Sequence, residues 1–179
     1  MAMLLDSFGG AEAGSTVRAQ WERLSGLPGG KALFSRLLGL LVPYTGSIGA
    51  RVEEVREGFA RVILKDRRAV RNHLRSVHAI ALANLAEMTA NLAVLYSAPS
   101  DTRMILTGLS MEYLKKARGQ LTAECSCPIP GSERKEYDNV VNIHDAKGEL
   151  VARGHVRSLV GPKTAAKDEA KDVAAKGAA

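Results

Sequence analysis

Residues His78 to Tyr96 read H-A-I-A-L-A-N-L-A-E-M-T-A-N-L-A-V-L-Y. The run has no Gly or Pro and is apolar on nearly every side, the pattern of a helix enclosed by the rest of its domain. Ala79, Ala81, Ala83, Ala86, Ala90 and Ala93 keep the cylinder thin, so a curved sheet can wrap closely around it. Val77 to Tyr96 is also long enough to cross a bilayer, but it carries Asn84, Glu87 and Asn91. A carboxylate at mid-bilayer costs several kcal/mol, so the run is expected to be a buried core helix and not a membrane span. Glu87 is the anomaly, because an ionised carboxylate inside a core needs a partner, a solvated pocket or a proton.

On both sides of this helix the apolar period changes to two. Before it, Ile48, Ala50 and Val52 alternate, Glu57-Gly58 supplies a turn, and Phe59 to Leu64 reads as a second strand. After Pro99 four more strands are expected: Met104 to Leu114, Leu121 to Cys127, Tyr137 to Ile143 and Leu150 to Val160. Turns are placed at Gly119-Gln120 and at Asp145-Ala146-Lys147-Gly148. Hairpin, helix, then four strands is not a βαβ alternation. The order predicts an α+β domain with a mainly antiparallel sheet of about six strands packed on one long central helix.

Upstream lies an N-terminal helical extension, residues 15–45. Val17, Trp21 and Leu24 recur at helical spacing behind a candidate N-cap, Ser15, and Leu27-Pro28-Gly29-Gly30 breaks the run. Lys31 to Leu41 resumes it and Pro43 stops it. The extension is expected to pack on the 46–162 domain or to lid its binding tunnel. Residues 1–14 read as a flexible lead-in. Residues 163–179, almost wholly Ala, Lys, Asp, Glu and Gly, read as a disordered tail.

The 179 residues carry 25 Lys+Arg against 19 Asp+Glu, a formal net charge of +6 that favours anionic partners. Nucleic acid is not the expected one, since one Trp, four Tyr and three Phe give few stacking platforms and no binding module is recognisable. Cys125 and Cys127 share one strand face, and the four histidines have no ligand-like spacing to them. Neither a disulfide framework nor a metal is expected. The cysteine usage suits a reducing compartment, cytoplasmic or an organelle matrix such as the mitochondrion.

His78 and Glu87 are nine residues apart, so on a helix they point to opposite sides, about 13 Å apart along the axis. They cannot serve one site within one chain. Two chains paired about a twofold axis would bring His78 of one opposite Glu87 of the other, giving two equivalent shared sites.

The arrangement Asn72, His78, Glu87, in the form N-x5-H-x8-E, resembles the signature of hotdog-fold acyl-CoA thioesterases of the phenylacetate-pathway (PaaI) type. It is most similar to an uncharacterised branch related to the thioesterase-like C-terminal domain of the YiiD acetyltransferase. The likeness covers about residues 31–162. It implies a hotdog fold, the sheet wrapped around the 78–96 helix, assembled as a homodimer or a dimer of dimers. It also implies hydrolysis of a fatty or aromatic acyl-CoA, with no cofactor beyond the coenzyme A of the substrate. By the same resemblance Glu87 would be the general base or nucleophile. The Ala79 and Ile80 amides would polarise the thioester carbonyl, Asn72 would orient the carbonyl or water, and His78 would shape the helix entry. Thr107, on a strand facing the helix, would position water. Ala79-Ile80 stands where the family has Gly-Gly, glycines that let the thioester approach the backbone.

Other readings stand beside these. Glu87 suits a structural carboxylate paired with an Arg or held by Asn84 and Asn91, Asn72 suits a turn, and His78 suits helix-entry packing. Arg68, Arg71 and Arg75, with Lys115, Lys116 and Arg118, suit either a solvated surface or donors to the phosphates of coenzyme A. A non-catalytic acyl-thioester binding module and an acyl-thioester dehydratase or hydratase are the alternative functions.

Overall fold

The computed structural model describes residues 13–163. The flexible lead-in and the disordered tail expected from sequence therefore lie almost wholly outside the described residues. The chain opens with α1 (Ala13–Leu24), α2 (Gly30–Leu41) and a one-turn α3 (Pro43–Gly46). The hairpin β1 (Arg51–Arg56) and β2 (Phe59–Leu64) leads through a 3-10 turn at Arg68–Val70 to the long α4 (Ala79–Ser97). Strands β3 (Thr102–Tyr113), β4 (Leu121–Ser126), β5 (Lys135–His144) and β6 (Leu150–Pro162) complete it. All pairings are antiparallel, in the order β1-β2-β4-β5-β6-β3.

Helix α4 lies across the sheet and is the centre of the core. Leu85, Ala86, Ala90 and Ala93 are fully buried, against Val62, Leu64, Ala123, Val141 and Val156 from the strands, and Val94 packs with Tyr137 and Val160. The small side chains set the spacing. A Cβ built on Gly154 of β6 would stand 2.8 Å from the Ala86 methyl and 3.0 Å from Met111 Sδ, so sheet and helix touch almost backbone to backbone. By length and composition α4 could cross a membrane, but most of it is buried between the sheet and the helices above it.

Those helices are the extension expected from sequence. Val17, Trp21, Phe34 and Leu38 are buried in the same core, with Trp21 and Phe34 edge to face at 5.1 Å between ring centroids. Helix α1 is already under way at Ala13, so Ser15 lies inside it and does not cap it. The α1–α2 turn needs its glycines: Gly29 has a φ of 74°, and a Cβ on Gly30 would overlap the Leu24 carbonyl. Pro43 does end α2, but it also starts α3 from the first helical position, where its missing N–H is no loss. The first strand begins at Arg51, later than the alternation from Ile48 suggests, although Ile48, Ala50 and Val52 are all buried.

Strand β3 forms one edge of the sheet and carries a bulge. Leu106 pairs with Ser158 and Gly108 with Arg157, leaving Thr107 as one extra residue.

Candidate functional site

Between the 3-10 turn and α4 the backbone makes a tight loop that Asn72 organises. Its Oδ1 accepts hydrogen bonds from the Leu74 amide (2.9 Å), the Ser76 amide (3.2 Å) and the Ser76 hydroxyl (3.2 Å). Its own amide donates to the Ser76 carbonyl (2.9 Å). This closure holds Arg75 at φ 54°, a left-handed conformation that a side chain with a Cβ rarely adopts. The turn reading of Asn72 thus describes its oxygen, and the Nδ2 group remains the end able to face a ligand.

His78 then starts α4 as its N-cap. Its amide donates to the Val70 carbonyl (2.8 Å), and its Nδ1 accepts from the Ile80 amide (3.1 Å). The first-turn amides of a helix have no partner inside the helix. Of the two expected to polarise a carbonyl, Ile80's is therefore engaged by the imidazole. Ala79 lies closer to the interior, and its carbonyl accepts from the Tyr113 hydroxyl (3.2 Å). Burial pushes the Tyr113 phenol above its usual range, so it stays a donor at neutral pH.

Asn72, Ser76, Ala79, Tyr113, Lys115 and Lys116 line one cleft of about 320 Å³ at the N-terminal end of α4. The two basic segments of the sequence meet around it. Arg118 donates to the Leu74 carbonyl (3.3 Å), Val77 to the Ala117 carbonyl (2.8 Å), and the Gly119 amide to Asp66 (2.9 Å). Arg71 pairs with Asp66 at 2.6 Å and Lys115 with Glu149 at 3.2 Å. The Arg71 guanidinium, with the Gly119 amide, holds the Asp66 carboxyl below its usual range. Arg71 and Lys115 are thus tied into structural pairs, whereas Arg68, Arg75 and Lys116 are exposed.

Glu87 lies elsewhere. It is half-buried on the flank of α4 with Ile80, Ala83 and Asn91, and Asn91 donates to its Oε1 at 3.4 Å. Asn84 does not reach it, since its Nδ2 donates to the Tyr44 carbonyl (3.1 Å). Glu87 is not among the residues lining the Asn72 cleft, so within one protomer the carboxylate stands apart from that cleft, as the nine-residue offset from His78 requires.

Thr107 does not face the helix, contrary to the expectation from the resemblance. The bulge turns it to the outer surface of the sheet, where its hydroxyl donates to Glu136 (2.7 Å). Tyr113 and Ser76 were not anticipated; both enter through contacts between distant segments that no local spacing signals. Cys125 and Cys127 are free thiols, which burial pushes up to about 12 and about 11. Among the described residues no three His, Cys, Asp or Glu side chains gather as a metal-binding group.

The family model described as a domain of unknown function, DUF4442, matches residues 30–160, most of the chain. The chain belongs to the DUF4442 family. Among solved structures, this DUF4442 chain is similar to a structural-genomics protein at 30% identity and TM-score 0.72, over 84% of this chain and 99% of that one. A Pseudomonas aeruginosa protein of unknown function named "Probable Thioesterase" is 22% identical, with TM-score 0.67 over 76% and 97% of the two chains. A thioesterase family protein from Silicibacter pomeroyi is 14% identical, with TM-score 0.63 over 74% and 99%. None of the curated proteins matches the chain. The DUF4442 domain here is thus a hotdog fold, a six-stranded antiparallel sheet around one central helix.

Proposed function

We propose that the protein hydrolyses an acyl-CoA thioester to the free acid and coenzyme A at sites shared by two protomers. The observation that carries this reading is the cleft where Asn72, the first turn of α4 and the exposed Lys116 come together, with Lys115 beside it paired to Glu149. It pairs a place for a carbonyl oxygen with a place for phosphates. The missing carboxylate is Glu87, presented half-exposed on the flank of α4 and supplied from a partner protomer.

In that assembly the Glu87 carboxylate takes a proton from water as the water oxygen adds to the thioester carbon. The oxyanion forms against the Ala79 amide at the positive end of α4. Collapse breaks the C–S bond, and the coenzyme A thiolate leaves and is protonated. Asn72 Nδ2 orients the carbonyl. The free edge of β3, with Ile105, Leu106, Leu109 and Tyr113 exposed, supports pairing with a second copy. The test is thiol release across an acyl-CoA panel, short to long and aromatic, for wild type beside Glu87→Ala. A fall in kcat of about 10²–10⁴ is expected for loss of a positioned base. Equal turnover by both proteins removes Glu87 from the mechanism.

One observation favours a second reading. The Ile80 amide is engaged by His78, and Ala79-Ile80 replaces the glycines that admit close approach, both of which suit a module that binds acyl thioesters without cleaving them. Acyl-CoA that raises the melting temperature with no thiol released selects this alternative.

A further inference from the structure

The helical extension encloses a second and larger cleft, about 540 Å³, bounded by α2, α3, the start of β1 and Met88 of α4. Its apolar walls include Ala32, Leu38, Ala50 and Met88. Of the polar groups beside them, Ser35 and Arg51 are already bonded, and Arg36 and Thr45 complete the lining. The Ser35 hydroxyl donates to the Lys31 carbonyl (2.7 Å) and accepts from the Val52 amide (2.9 Å), and Arg51 pairs with Glu53 at 2.8 Å. What the cleft offers a ligand is mainly dispersion against apolar walls, with Arg36 and Thr45 as polar groups in its lining.

The cleft is held open by construction. α2 and α3 meet glycine on glycine, a Cβ on Gly46 standing 2.5 Å from the Gly39 carbonyl oxygen. α3 is fixed to α4 by the Asn84 bond to the Tyr44 carbonyl. Asn84 and Met88, four residues apart, share the face of α4 turned towards the extension. Glu87 is the residue beside Met88, about 100° round the helix. The apolar cleft therefore borders the stripe that carries the carboxylate.

Resting on the thioesterase reading, we infer that this cleft takes the acyl chain of the substrate, an unbranched aliphatic chain, and that Ala32, Leu38 and Met88 set the accepted length. The α1–α3 extension is then the specificity element of the enzyme. An amphiphile with an apolar tail and a polyanionic head matches both clefts, one mainly apolar and one cationic.

The test uses the full chain and a series of S-alkyl-CoA thioethers from ethyl to hexadecyl, which cannot be hydrolysed, with Kd measured by calorimetry. Wild type should bind more tightly with each added methylene, by up to about fourfold where burial is complete, until the cleft is full. Ala32→Trp, at an exposed position in the cleft wall, should end that gain at a shorter chain. A wild-type Kd indifferent to chain length, or a variant that shifts every chain equally, overturns the inference. So does equal binding of free alkanoates, which would assign the cleft to fatty acids. Thiol release measured in parallel separates the two claims. No release from any acyl-CoA with the chain-length profile intact removes the hydrolase alone. Release that ignores both chain length and Ala32→Trp removes the cleft alone.

Discussion

The imidazole of His78 holds the amide of Ile80, its Nδ1 accepting from that nitrogen at 3.1 Å, so the residue that begins α4 also covers one of the donors at its positive end. The contact caps the helix and leaves the Ala79 amide as the donor that the proposed hydrolysis would use. His78→Ala should cost about 1 kcal/mol, as lost N-caps do, a fall in Tm of about 2–4 °C for a chain of this size. His78→Asn, which can cap in the same way, should recover most of it. Thermal unfolding of the three proteins checks this, and full stability in His78→Ala would show that the cap contributes nothing.

Glu87 has the opposite profile. Half-buried and bonded to Asn91, it supports little of the fold, so Glu87→Gln should change stability by under about 0.5 kcal/mol while abolishing base catalysis. Paired unfolding curves and acyl-CoA kinetics give the two values. A large loss of stability with retained turnover would make Glu87 a structural residue.

The Asp66–Arg71 pair ties the Asn72 loop to Gly119, and its effect depends on pH. Arg71 lowers the Asp66 carboxyl below its ordinary 3.8. A group whose folded pKa is depressed stabilises the fold fully above its unfolded pKa, and that contribution is lost as pH falls through the folded value. With the Arg71 side chain 44% exposed, solvent screens the pair and its contribution is small. The stability gap between wild type and Asp66→Asn should be constant above about pH 5 and shrink below about pH 4. Denaturant titrations from neutral to acid pH would show it; a gap that widens in acid contradicts the assignment.

Gly154→Ala tests the close packing of helix on sheet. The added methyl meets Ala86 at 2.8 Å and Met111 at 3.0 Å, and overpacking of this kind costs about 1–3 kcal/mol. Gly154→Ala combined with Ala86→Gly should recover part of the loss in a denaturant series.

The edge of β3 bears on assembly. Leu109 is 39% exposed there, and placing a charge on it should break the proposed homodimer. Sedimentation of Leu109→Lys is expected to give a monomer with the fold intact and thiol release lost. A dimer that survives moves the interface elsewhere.

How legible these features are in the sequence depends on whether they are local. α4 is legible because an alanine-rich run, apolar all round, admits one placement, and the hairpin and later strands follow from period-two alternation between glycine turns. The six-strand count and the antiparallel pairing come from the same signals. The bulge at Thr107 is not legible, since one unpaired residue leaves no trace in the alternation of a strand with so many apolar side chains, and Thr107 consequently faces away from the helix. Nor is the partnership of Arg71 with Asp66, because side-chain ion pairs are chosen by the folded geometry, whereas the turn role of Asn72 is local and can be read. The convergence of Lys65–Ser76 with Lys115–Gly119 rests on contacts more than 40 residues apart in the chain.

The bulge has one further consequence. Because Leu106 and Gly108 face consecutive residues of β6, the ladder carries Thr107 in excess, and a chain lacking that residue would keep every other β3–β6 pairing in register. Deleting any other interior residue of β3 would turn half the strand inside out. What the shortened protein would lose is curvature, since the extra residue deepens the local twist of the strand. This position alone in β3 thus lets lineages lengthen or shorten the chain by one residue, and so change how far the sheet edge curls over α4, without scrambling the core.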